Sequence, residues 1–359
     1  MQKKADGQNY APVGKFEPVC PAGAFRVAVI GLDHGHIFGM CNGLLEAGAT
    51  LVSVYDPDPQ KVEGFLAAFE GVVAAESEQA IYDDESIQMI ACASVPIIRG
   101  DVAVKSMEAG KDFFGDKPPC ANMAQLDAIK ATVAKTEQKF FVYFSERLHV
   151  EASVYAQQLI NDGAIGKVIQ VMGFGPHRLN APTRPAWFFD KAQYGGILVD
   201  IGCHQIEQII NYAGAKDATI THSRIANYNN KDHENFDDYG DAMVLCDNGV
   251  TGYFKVDWFT PAGLGAWGDG RTIITGTDGY IEIRKYINLA TDGNGDHVFY
   301  ANHTGEYHYN ASGICGFPFF GKMIRDCLDR TQTAMTQESI YKPIELAIIA
   351  QNQALDVSK

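Results

Sequence analysis

The stretch from Phe25 to His36, FRVAVIGLDHGH, decides the fold of this chain. Its apolar run ends at Gly31, which is the pattern of a buried parallel strand that enters a tight turn. A helix-like segment continues to about Gly48, and a second strand, TLVSVY at Thr50–Tyr55, ends at Asp56. Strand, helix and strand in this order predict a βαβ unit of a doubly wound sheet.

The alternation of strands and helices continues and then changes after about Arg147. Further strands are predicted at residues 87–92, 112–114 and 140–144. A helix, a strand and a second helix follow, at 150–162, 167–174 and from Asp200 to Tyr212. Alternating stretches then predict strands at 218–228, 239–246, 250–258, 271–275 and 280–284, and closing helices are predicted at 317–329 and 344–355. The sequence therefore predicts an α/β domain with a doubly wound parallel sheet, followed by an α+β domain.

The turn after the first strand stands where a dinucleotide-binding fingerprint, G-x-G-x-x-G, would stand. Gly31 occupies the first glycine position, but Asp33 and His36 occupy the second and third. A carboxylate at the second position would repel a pyrophosphate held at the helix N-terminus. We therefore expect Asp33 to turn back and cap the helix that follows it.

Asp56 lies at the end of the second strand, where an acidic residue accepts hydrogen bonds from the ribose hydroxyls of NAD. The following residues, Pro57, Asp58 and Pro59, include no Arg to bind a 2′-phosphate, so the sequence favours NAD over NADP. The alternative is that Asp56 only begins a turn before a helix.

The composition limits the partners of the chain. A net charge of −15 argues against binding to nucleic acid or an anionic membrane, and no apolar run approaches the roughly 20 residues of a membrane helix. The eight cysteines form no CxxC pair, and residues 1–24 show no signal-peptide pattern. We expect a cytoplasmic, two-domain protein with reduced thiols and a small-molecule substrate.

Four strings, in a fixed order, carry a resemblance to a known family. They are AGK at 109–111 leading into GDKP at 115–118, LINDGAIG at 159–166, GGILVDIGCH at 195–204 and TGTDG at 275–279. From about Phe25 to its C-terminus the chain resembles the Gfo/Idh/MocA oxidoreductases, the relatives of glucose–fructose oxidoreductase and inositol dehydrogenase.

The resemblance implies a Rossmann domain followed by a domain with a large open, mainly antiparallel sheet, often used for homo-oligomerisation as a dimer or tetramer. We expect an extended arm at 1–24, an NAD-binding domain at 25–146 and a substrate and oligomerisation domain at 147–339. Residues 340–359 are expected to form a helix that packs back on the Rossmann domain. The implied substrates are sugars, sugar acids, polyols or their glycosides.

The resemblance also places Lys117, Asp200 and His204 around the reacting carbon. A histidine near its reference pKa of about 6.5 can take a hydroxyl proton at neutral pH, and Lys117 can stabilise the developing alkoxide. Asp200 precedes His204 by one helical repeat, so the two share a face if that segment is helical. The alternative for each residue alone is a structural or surface role.

The candidate cofactor-binding residues are Gly31, Asp33, His34, His36, Asp56, Ser94, Pro96, Asp116 and Lys117. Asp116 replaces the Glu of the family's EKP string, and Arg99 stands where the family often has His. His34 and His36 form a His-x-His pair of the kind that binds metals, but no third ligand is identifiable, so no metal site is predicted.

The candidate substrate-binding residues are Tyr143, Arg147, His149, His177, Arg178 and Trp187. The first three follow the last strand of the Rossmann domain, at the edge where ligands bind. Arg147 could bind a carboxylate or form an interdomain salt bridge. Trp187 could stack on a sugar ring or lie in the core.

Three functions follow from these residues. The first is a dehydrogenase that releases NADH after oxidising a sugar or cyclic polyol. The second is an enzyme that retains NAD and cleaves or isomerises a glycoside by oxidation, elimination and reduction. The third is a non-catalytic nucleotide-binding sensor, against which the candidate residues Lys117, Asp200 and His204 speak.

Overall fold

The structure is a computed structural model that describes residues 7–8, 10–291 and 293–358. The described residues form two compact units. The first unit contains Gln8 and residues 10–143 and 317–341. The second contains Gly7 and residues 144–291, 293–316 and 342–358.

The first unit is built on a parallel sheet. Its strands are β1 (Arg26–Ile30), β2 (Thr50–Tyr55), β3 (Val73–Ala74), β4 (Met89–Cys92), β5 (Asp112–Asp116) and β6 (Phe140–Tyr143). Its helices are α1 (His36–Glu46), α2 (Pro59–Ala68), α3 (Glu78–Asp83), α4 (Pro96–Glu108), α5 (Met123–Thr136) and, from the C-terminal segment, α11 (Pro318–Asp329). The strand order is β3-β2-β1-β4-β5-β6, which is the doubly wound order of dinucleotide-binding folds. The α/β prediction is confirmed.

Apolar strands buried on both faces form the core of this unit. Every residue of β4 and β6 is buried, as expected for parallel strands that are covered by helices on both sides. In α11, Phe319 and Phe320 contact Phe114 of β5, with ring centroids 6.1 and 6.2 Å away. Helix α1 approaches α11 closely at Gly43, where any Cβ would overlap the ring of Phe320.

The second unit is built on a large, mainly antiparallel sheet. Its strands are β7 (Val168–Pro176), β8 (Ala218–Ala226), β9 (Tyr239–Cys246), β10 (Thr251–Asp257), β11 (Arg271–Gly276), β12 (Gly279–Arg284), β13 (His297–Asn302), β14 (Gly305–Asn310) and β15 (Leu355–Asp356). The nine strands lie in the order β14-β13-β12-β11-β7-β10-β9-β8-β15. Only the neighbours β7 and β10, and β8 and β15, are parallel among the described strands of this sheet. The α+β prediction is confirmed.

The helices of the second unit lie in three regions of its sequence. They are α6 (Ser145–Leu148) and α7 (Glu151–Asn161), then α8 (Lys191–Tyr194), α9 (Ile197–Asp200) and α10 (Gly202–Ala213), and finally the C-terminal part of α12 (Gln337–Gln353). Two short 3-10 helices, Ala181–Thr183 and Ala186–Phe189, precede α8.

The C-terminal residues 342–358 group with the second unit, whereas the sequence assigned residues 340–359 to the Rossmann domain. The hydrogen bonds of α12 account for this grouping. Ser223 of β8 donates to the Ala350 carbonyl at 2.8 Å, and the side chain of Gln351 bonds both Leu198 N–H and Asp237, each at 2.9 Å.

Several local features differ from the predicted elements, among them the closing helix predicted at 344–355, which begins at Gln337. The hairpin of β13 and β14 was not predicted, and the helix predicted from Asp200 to Tyr212 is interrupted at Ile201. Among the described residues, no helix combines the length and the apolar character that crossing a bilayer requires.

Candidate functional site

The turn between β1 and α1 carries the first cofactor candidates. Gly31 has a φ of +84°, a left-handed conformation that favours glycine. Any Cβ there would overlap the hydroxyl of Ser94 and lie 3.0 Å from the Ser94 Cα. Pro96 opens α4 just beyond Ser94. The turn therefore keeps the ends of β1 and β4 in close contact at the carboxyl edge of the sheet, where nucleotides bind in such folds.

Asp33 does not cap α1, so that prediction is wrong. The N-cap residue of α1 is Gly35, which has no side chain, and the N–H of His36 at the start of the helix donates to Nδ1 of His34 at 3.3 Å. The turn instead directs the Asp33 carboxylate to the neighbouring helix, where Oδ2 accepts the Val95 N–H at 3.0 Å, at the start of α4. Its Oδ1 binds Lys61 Nζ at 2.5 Å.

Asp56 ties the end of β2 to the same turn. Its Oδ2 accepts the Leu32 N–H at 2.7 Å, and its Oδ1 accepts the Asp58 N–H at 2.9 Å. Lys61 Nζ lies 3.9 Å from Asp56. Burial alone would lower the pKa of Lys61, but its hydrogen bond to Asp33 raises it. Asp56 thus begins a turn, and its carboxylate oxygens can each accept a further hydrogen bond.

His34, His36 and Asp116 form one buried cluster in the first unit. Nδ1 of His36 lies 2.9 Å from Oδ1 of Asp116, and Nδ1 of His34 lies 3.2 Å from Oδ2. The guanidinium of Arg99 approaches the same Oδ2 to 3.1 Å. Three basic side chains therefore surround a single buried carboxylate.

These contacts set the protonation states of the cluster. Burial alone would raise the pKa of Asp116, but His36 and Arg99 hold it well below its usual range. Burial lowers the pKa of His34 well below its usual value, and the charge of His36 lowers it further. At neutral pH Asp116 is therefore ionised and His34 is neutral.

Arg99 holds the backbone that carries Lys117. Its NH1 donates to the carbonyls of Lys117 and Pro118 at 2.7 and 2.9 Å, and its Nε donates to the Ser94 carbonyl at 2.5 Å. Lys117 N–H in turn donates to Asp116 Oδ1 at 2.8 Å. The sequence marked Arg99 only as a departure from the family pattern, because nothing local signals its contacts with a strand end that lies far along the chain.

The same cluster offers three ligand atoms, from His34, His36 and Asp116, within 4.8 Å of one another. Asp116 is the third group that the sequence did not supply for the His-x-His pair. However, the positive charge of Arg99, 3.1 Å from the Asp116 carboxylate, disfavours a divalent cation at this place. The cluster is better described as one carboxylate that its basic neighbours already neutralise.

Tyr143, a predicted substrate-binding residue, is fully buried at the end of β6. Its ring lies edge-on to His36, with 5.7 Å between the ring centroids. Burial raises the pKa of its hydroxyl well above the usual value, so the phenol stays neutral. The structure thus brings Tyr143 together with the cofactor-turn cluster.

Asp200 and His204 lie on either side of a helix break in the second unit. Helix α9 ends at Asp200, Ile201 is the N-cap residue of α10, and His204 lies in the first turn of α10. The two residues are therefore not on one continuous helix, which the shared-face expectation required. Both are buried, with exposed fractions of 8% and 2%.

Sequence reasoning missed another buried cluster, which lies in the second unit and is centred on Glu146 and Lys285. Lys285 Nζ lies 2.9 Å from Glu146 Oε2, and both residues are 2% exposed. Glu146 stands directly before Arg147, so an acidic residue at the end of the last Rossmann strand was the available signal. Lys285 follows β12 and carries no local signal.

Arg147 forms an ion pair with Glu207, within the second unit. Its Nε lies 2.7 and 2.9 Å from the two carboxylate oxygens of Glu207. Burial alone would lower the pKa of Arg147, but Glu207 raises it. His149, in the same segment, is fully buried.

The other three substrate candidates lie along the region after β7. Nδ1 of His177 donates to the Gly175 carbonyl at 3.0 Å. Arg178 donates through NH2 to three loop carbonyls, those of Pro261, Leu264 and Ala266, at 3.3, 2.8 and 2.7 Å. Trp187 is half-buried beside Phe188.

Comparison with known proteins identifies the family of this chain. Residues 25–144 match the NAD-binding Rossmann-fold domain of the Gfo/Idh/MocA oxidoreductases, and residues 153–282 match the C-terminal domain of the same family. A crystal structure assigned to the oxidoreductases, from Erwinia carotovora atroseptica, is 48% identical, has a TM-score of 0.91 and covers 93% of this chain and 100% of its own.

The curated relatives include proteins with named activities. The scyllo-inositol 2-dehydrogenase (NAD(+)) of Bacillus subtilis (strain 168) is 28% identical over 262 residues, which are 72% of this chain and 73% of that protein. The D-xylose dehydrogenase of Paenarthrobacter nicotinovorans is 26% identical over 152 residues, which are 40% of this chain and 39% of that protein. Both domain matches fall on the two units described above, and the chain therefore belongs to the Gfo/Idh/MocA family of NAD-dependent oxidoreductases.

Proposed function

We propose that this enzyme oxidises a secondary hydroxyl of a sugar, sugar acid or cyclic polyol by hydride transfer, with His204 as the base. The observation that carries this proposal is the placement of His204, in the first turn of α10 and in a chain whose relatives include an inositol and a xylose dehydrogenase. A buried imidazole next to a helix break can bind a substrate hydroxyl without competition from bulk water.

The residues at the carboxyl edge of the first sheet fit a dinucleotide. Gly31 forms the tight turn that keeps the ends of β1 and β4 together at this edge, and Asp56 offers carboxylate oxygens for ribose hydroxyls. NAD, when bound, accepts the hydride from the substrate carbon. The buried ammonium of Lys117, whose backbone Arg99 and Asp116 hold in place, stabilises the alkoxide that develops as the hydroxyl loses its proton.

The proton of the hydroxyl passes to the imidazole of His204. Asp200 supplies a carboxylate that orients substrate hydroxyls near the start of α10. Substrate affinity also draws on Arg147, His149, His177, Arg178 and Trp187 of the second unit and on Tyr143 of the first.

The experiment is an assay of NADH formation with a panel of inositols, pentoses and anhydro sugars. His204→Ala should lower kcat by about 100-fold or more, the range of general base catalysis, without changing NAD affinity. His303→Ala is the matched control, because the His303 side chain is 83% exposed in the turn between β13 and β14, and it should keep full activity. Full activity of His204→Ala would refute the role of His204.

The same assay separates the two modes of NAD use. Consumption of a glycoside without net NADH, with NAD released only on denaturation, would replace the dehydrogenase by the oxidation–elimination–reduction cycle. Binding of NAD with no turnover of any sugar would instead support the non-catalytic nucleotide-binding sensor.

We further propose that the enzyme is a homo-oligomer that pairs through the open face of the second sheet. Three large apolar side chains on this face are about half exposed, namely Met243, Leu245 and Tyr280, at 51, 45 and 49%. Neighbouring apolar side chains exposed on one face are typical of a protein interface. Met243→Glu should shift the sedimentation coefficient to that of a smaller species. An unchanged coefficient would exclude this face.

We also propose a cytoplasmic location. All eight cysteines are free thiols, and six of them are buried, which is typical of proteins from reducing compartments. Recovery of the native protein from the cytosolic fraction of its source cells would test the location, and recovery from an oxidising compartment would contradict it.

A further inference from the structure

Glu146 is a buried carboxylate that its neighbours hold from several sides. It lies in α6, at the start of the second unit, and is 2% exposed. Its Oε2 accepts hydrogen bonds from Lys285 Nζ at 2.9 Å, from Gln205 Nε2 at 2.8 Å and from Gln208 Nε2 at 3.4 Å. The Lys285 side chain is fully buried, so the ion pair is shielded from solvent.

The two glutamines place this carboxylate beside His204. Gln205 follows His204 directly on α10, and Gln208 lies one turn further, where its Nε2 also donates to the His204 carbonyl at 3.0 Å. On the other side, the ring of Phe144, two residues before Glu146, lies edge-on to the His204 ring, with 6.4 Å between centroids. Helix α6 therefore packs against the face of α10 that carries His204.

Strand β7, which lies under Gln205, has glycine at two positions. A Cβ at Gly173 would overlap Gln205 Oε1, and a Cβ at Gly175 would lie 2.8 Å from Gln205 Nε2. Gln205 can therefore lie flat over β7 and reach Glu146. The glycines make room for the hydrogen bond that orients the carboxylate.

The second oxygen of Glu146 has no hydrogen-bond partner among the described residues. His177 Nε2 lies 4.0 Å from it. Because Nδ1 of His177 faces the Gly175 carbonyl, which can only accept, the proton of a neutral His177 is on Nδ1. The charged and titratable groups that face Glu146 are thus Lys285, His177 and His204.

The charges of these groups keep Glu146 ionised. Burial alone would raise the pKa of Glu146, but Lys285, His204 and His177, in that order, hold it well below its usual range. Because electrostatic interaction is reciprocal, the carboxylate favours the protonated form of His204 by the same interaction.

We propose that Glu146 is a positioning residue whose carboxylate, held by Lys285, Gln205 and Gln208, stabilises the imidazolium that forms when His204 takes the substrate proton. This role rests on the proposed function of His204 as the base. The hydroxyl proton moves to His204 and the hydride leaves with the cofactor, while Glu146 forms no new bond and stays ionised. A fixed negative charge in a dry site costs no reorganisation at the moment of proton transfer.

The first test is Glu146→Gln, which keeps the shape and removes the charge. We expect kcat to fall by about 10-fold or more, within the range of acid–base effects, while the KM for NAD stays unchanged. The pKa that limits kcat/KM at low pH should fall by about one unit, because the imidazolium loses its counter-charge. A structural role would not shift this pH profile.

A second variant separates the loss of charge stabilisation at His204 from a loss of protein stability. Glu146→Gln leaves Lys285 as a buried cation without its anion, so this protein is also expected to lose stability. The double variant Glu146→Gln/Lys285→Met removes both charges and should recover the thermal midpoint. It should keep a lowered kcat and a downward shift of the pH profile that is smaller than in Glu146→Gln, because the Lys285 cation, which disfavours protonation of His204, is removed as well. Recovery of wild-type kcat would overturn the proposal.

A measurement without substrate makes the result independent of the proposed reaction. The ring of His204, labelled with carbon-13 and assigned by comparison with His204→Ala, should titrate at lower pH in Glu146→Gln than in the wild-type protein. An identical curve in the two proteins, including one without any titration, would contradict the role of Glu146. If His204→Ala keeps full turnover while the NMR shift is found, the base assignment fails and the electrostatic coupling stands.

Discussion

Replacing Gly31 with Ala tests the turn that joins β1 to the cofactor edge. At a φ of +84°, alanine costs about 1–2 kcal/mol. The new Cβ would lie 2.8 Å from the Ser94 Cβ and 3.0 Å from its Cα, so rotation of the hydroxyl cannot relieve the crowding. Overpacking of this kind adds about 1–3 kcal/mol. We therefore expect a loss of about 2–5 kcal/mol in the stability of the first unit.

Gly71→Ala is the matched control, because Gly71 belongs to the same unit and has the same φ of +84°, with no atom within 4 Å of an added Cβ. It should cost only the backbone term, about 1–2 kcal/mol. The assay is hydrogen exchange of the amides in β1 and β4, followed by mass spectrometry. Since about 1.4 kcal/mol is a factor of ten, exchange should be about 10- to 100-fold faster in Gly31→Ala than in Gly71→Ala. Equal exchange in the two variants would refute the packing of Gly31 against Ser94.

Three further outcomes follow from the buried charges. Asp116→Asn should lower the urea midpoint of unfolding at neutral pH. Because the pKa of Asp116 is depressed in the folded protein, its carboxylate stabilises the fold above the pKa of the unfolded chain and loses this effect below it. The midpoints of the variant and the wild-type protein should therefore converge as the pH falls below about 4, and a constant difference at all pH values would contradict this. Arg147→Met should destabilise the protein by about 3–5 kcal/mol, since Glu207 is left buried without its cation, and a loss below about 1 kcal/mol in urea denaturation would show that water replaces the pair. Dialysis against a chelator should leave NADH formation unchanged, because Arg99 already neutralises Asp116, and an activity that zinc restores would establish a metal at His34 and His36.

The elements with strong apolar patterns were predicted almost residue by residue. The strands Thr50–Tyr55 and Tyr239–Cys246 have the bounds that the sequence indicated. Their residue types and the flanking turns determine them locally. The hairpin of His297–Asn302 and Gly305–Asn310 was missed. Its first strand has a short apolar run, Val298–Ala301, and its second strand alternates tyrosines with polar residues and resembles a surface loop.

The sequence could select candidate site residues that lie within short motifs. It could not show contacts between residues that are far apart along the chain. Lys117 and His204 lie within strings that resemble the family, so one sequence was enough to select them. The pair of Glu146 and Lys285 joins residues 139 positions apart, and only the topology of the sheet brings them together. The contact of Asp33 with Val95 was missed for the same reason, because a local cap and a tertiary cap use the same residue type.

The most direct test of the central claim follows the hydride itself. The enzyme is incubated with NAD and a sugar or polyol that carries deuterium on its ring carbons, and the nucleotide is released by denaturation and weighed by mass spectrometry. We predict reduced nucleotide that carries one deuterium from the substrate carbon in the wild-type protein, and at least about 100-fold less of it per unit time in His204→Ala. Reduced nucleotide without deuterium, or label transfer at the full rate in His204→Ala, would contradict oxidation of a secondary hydroxyl by hydride transfer with His204 as the base.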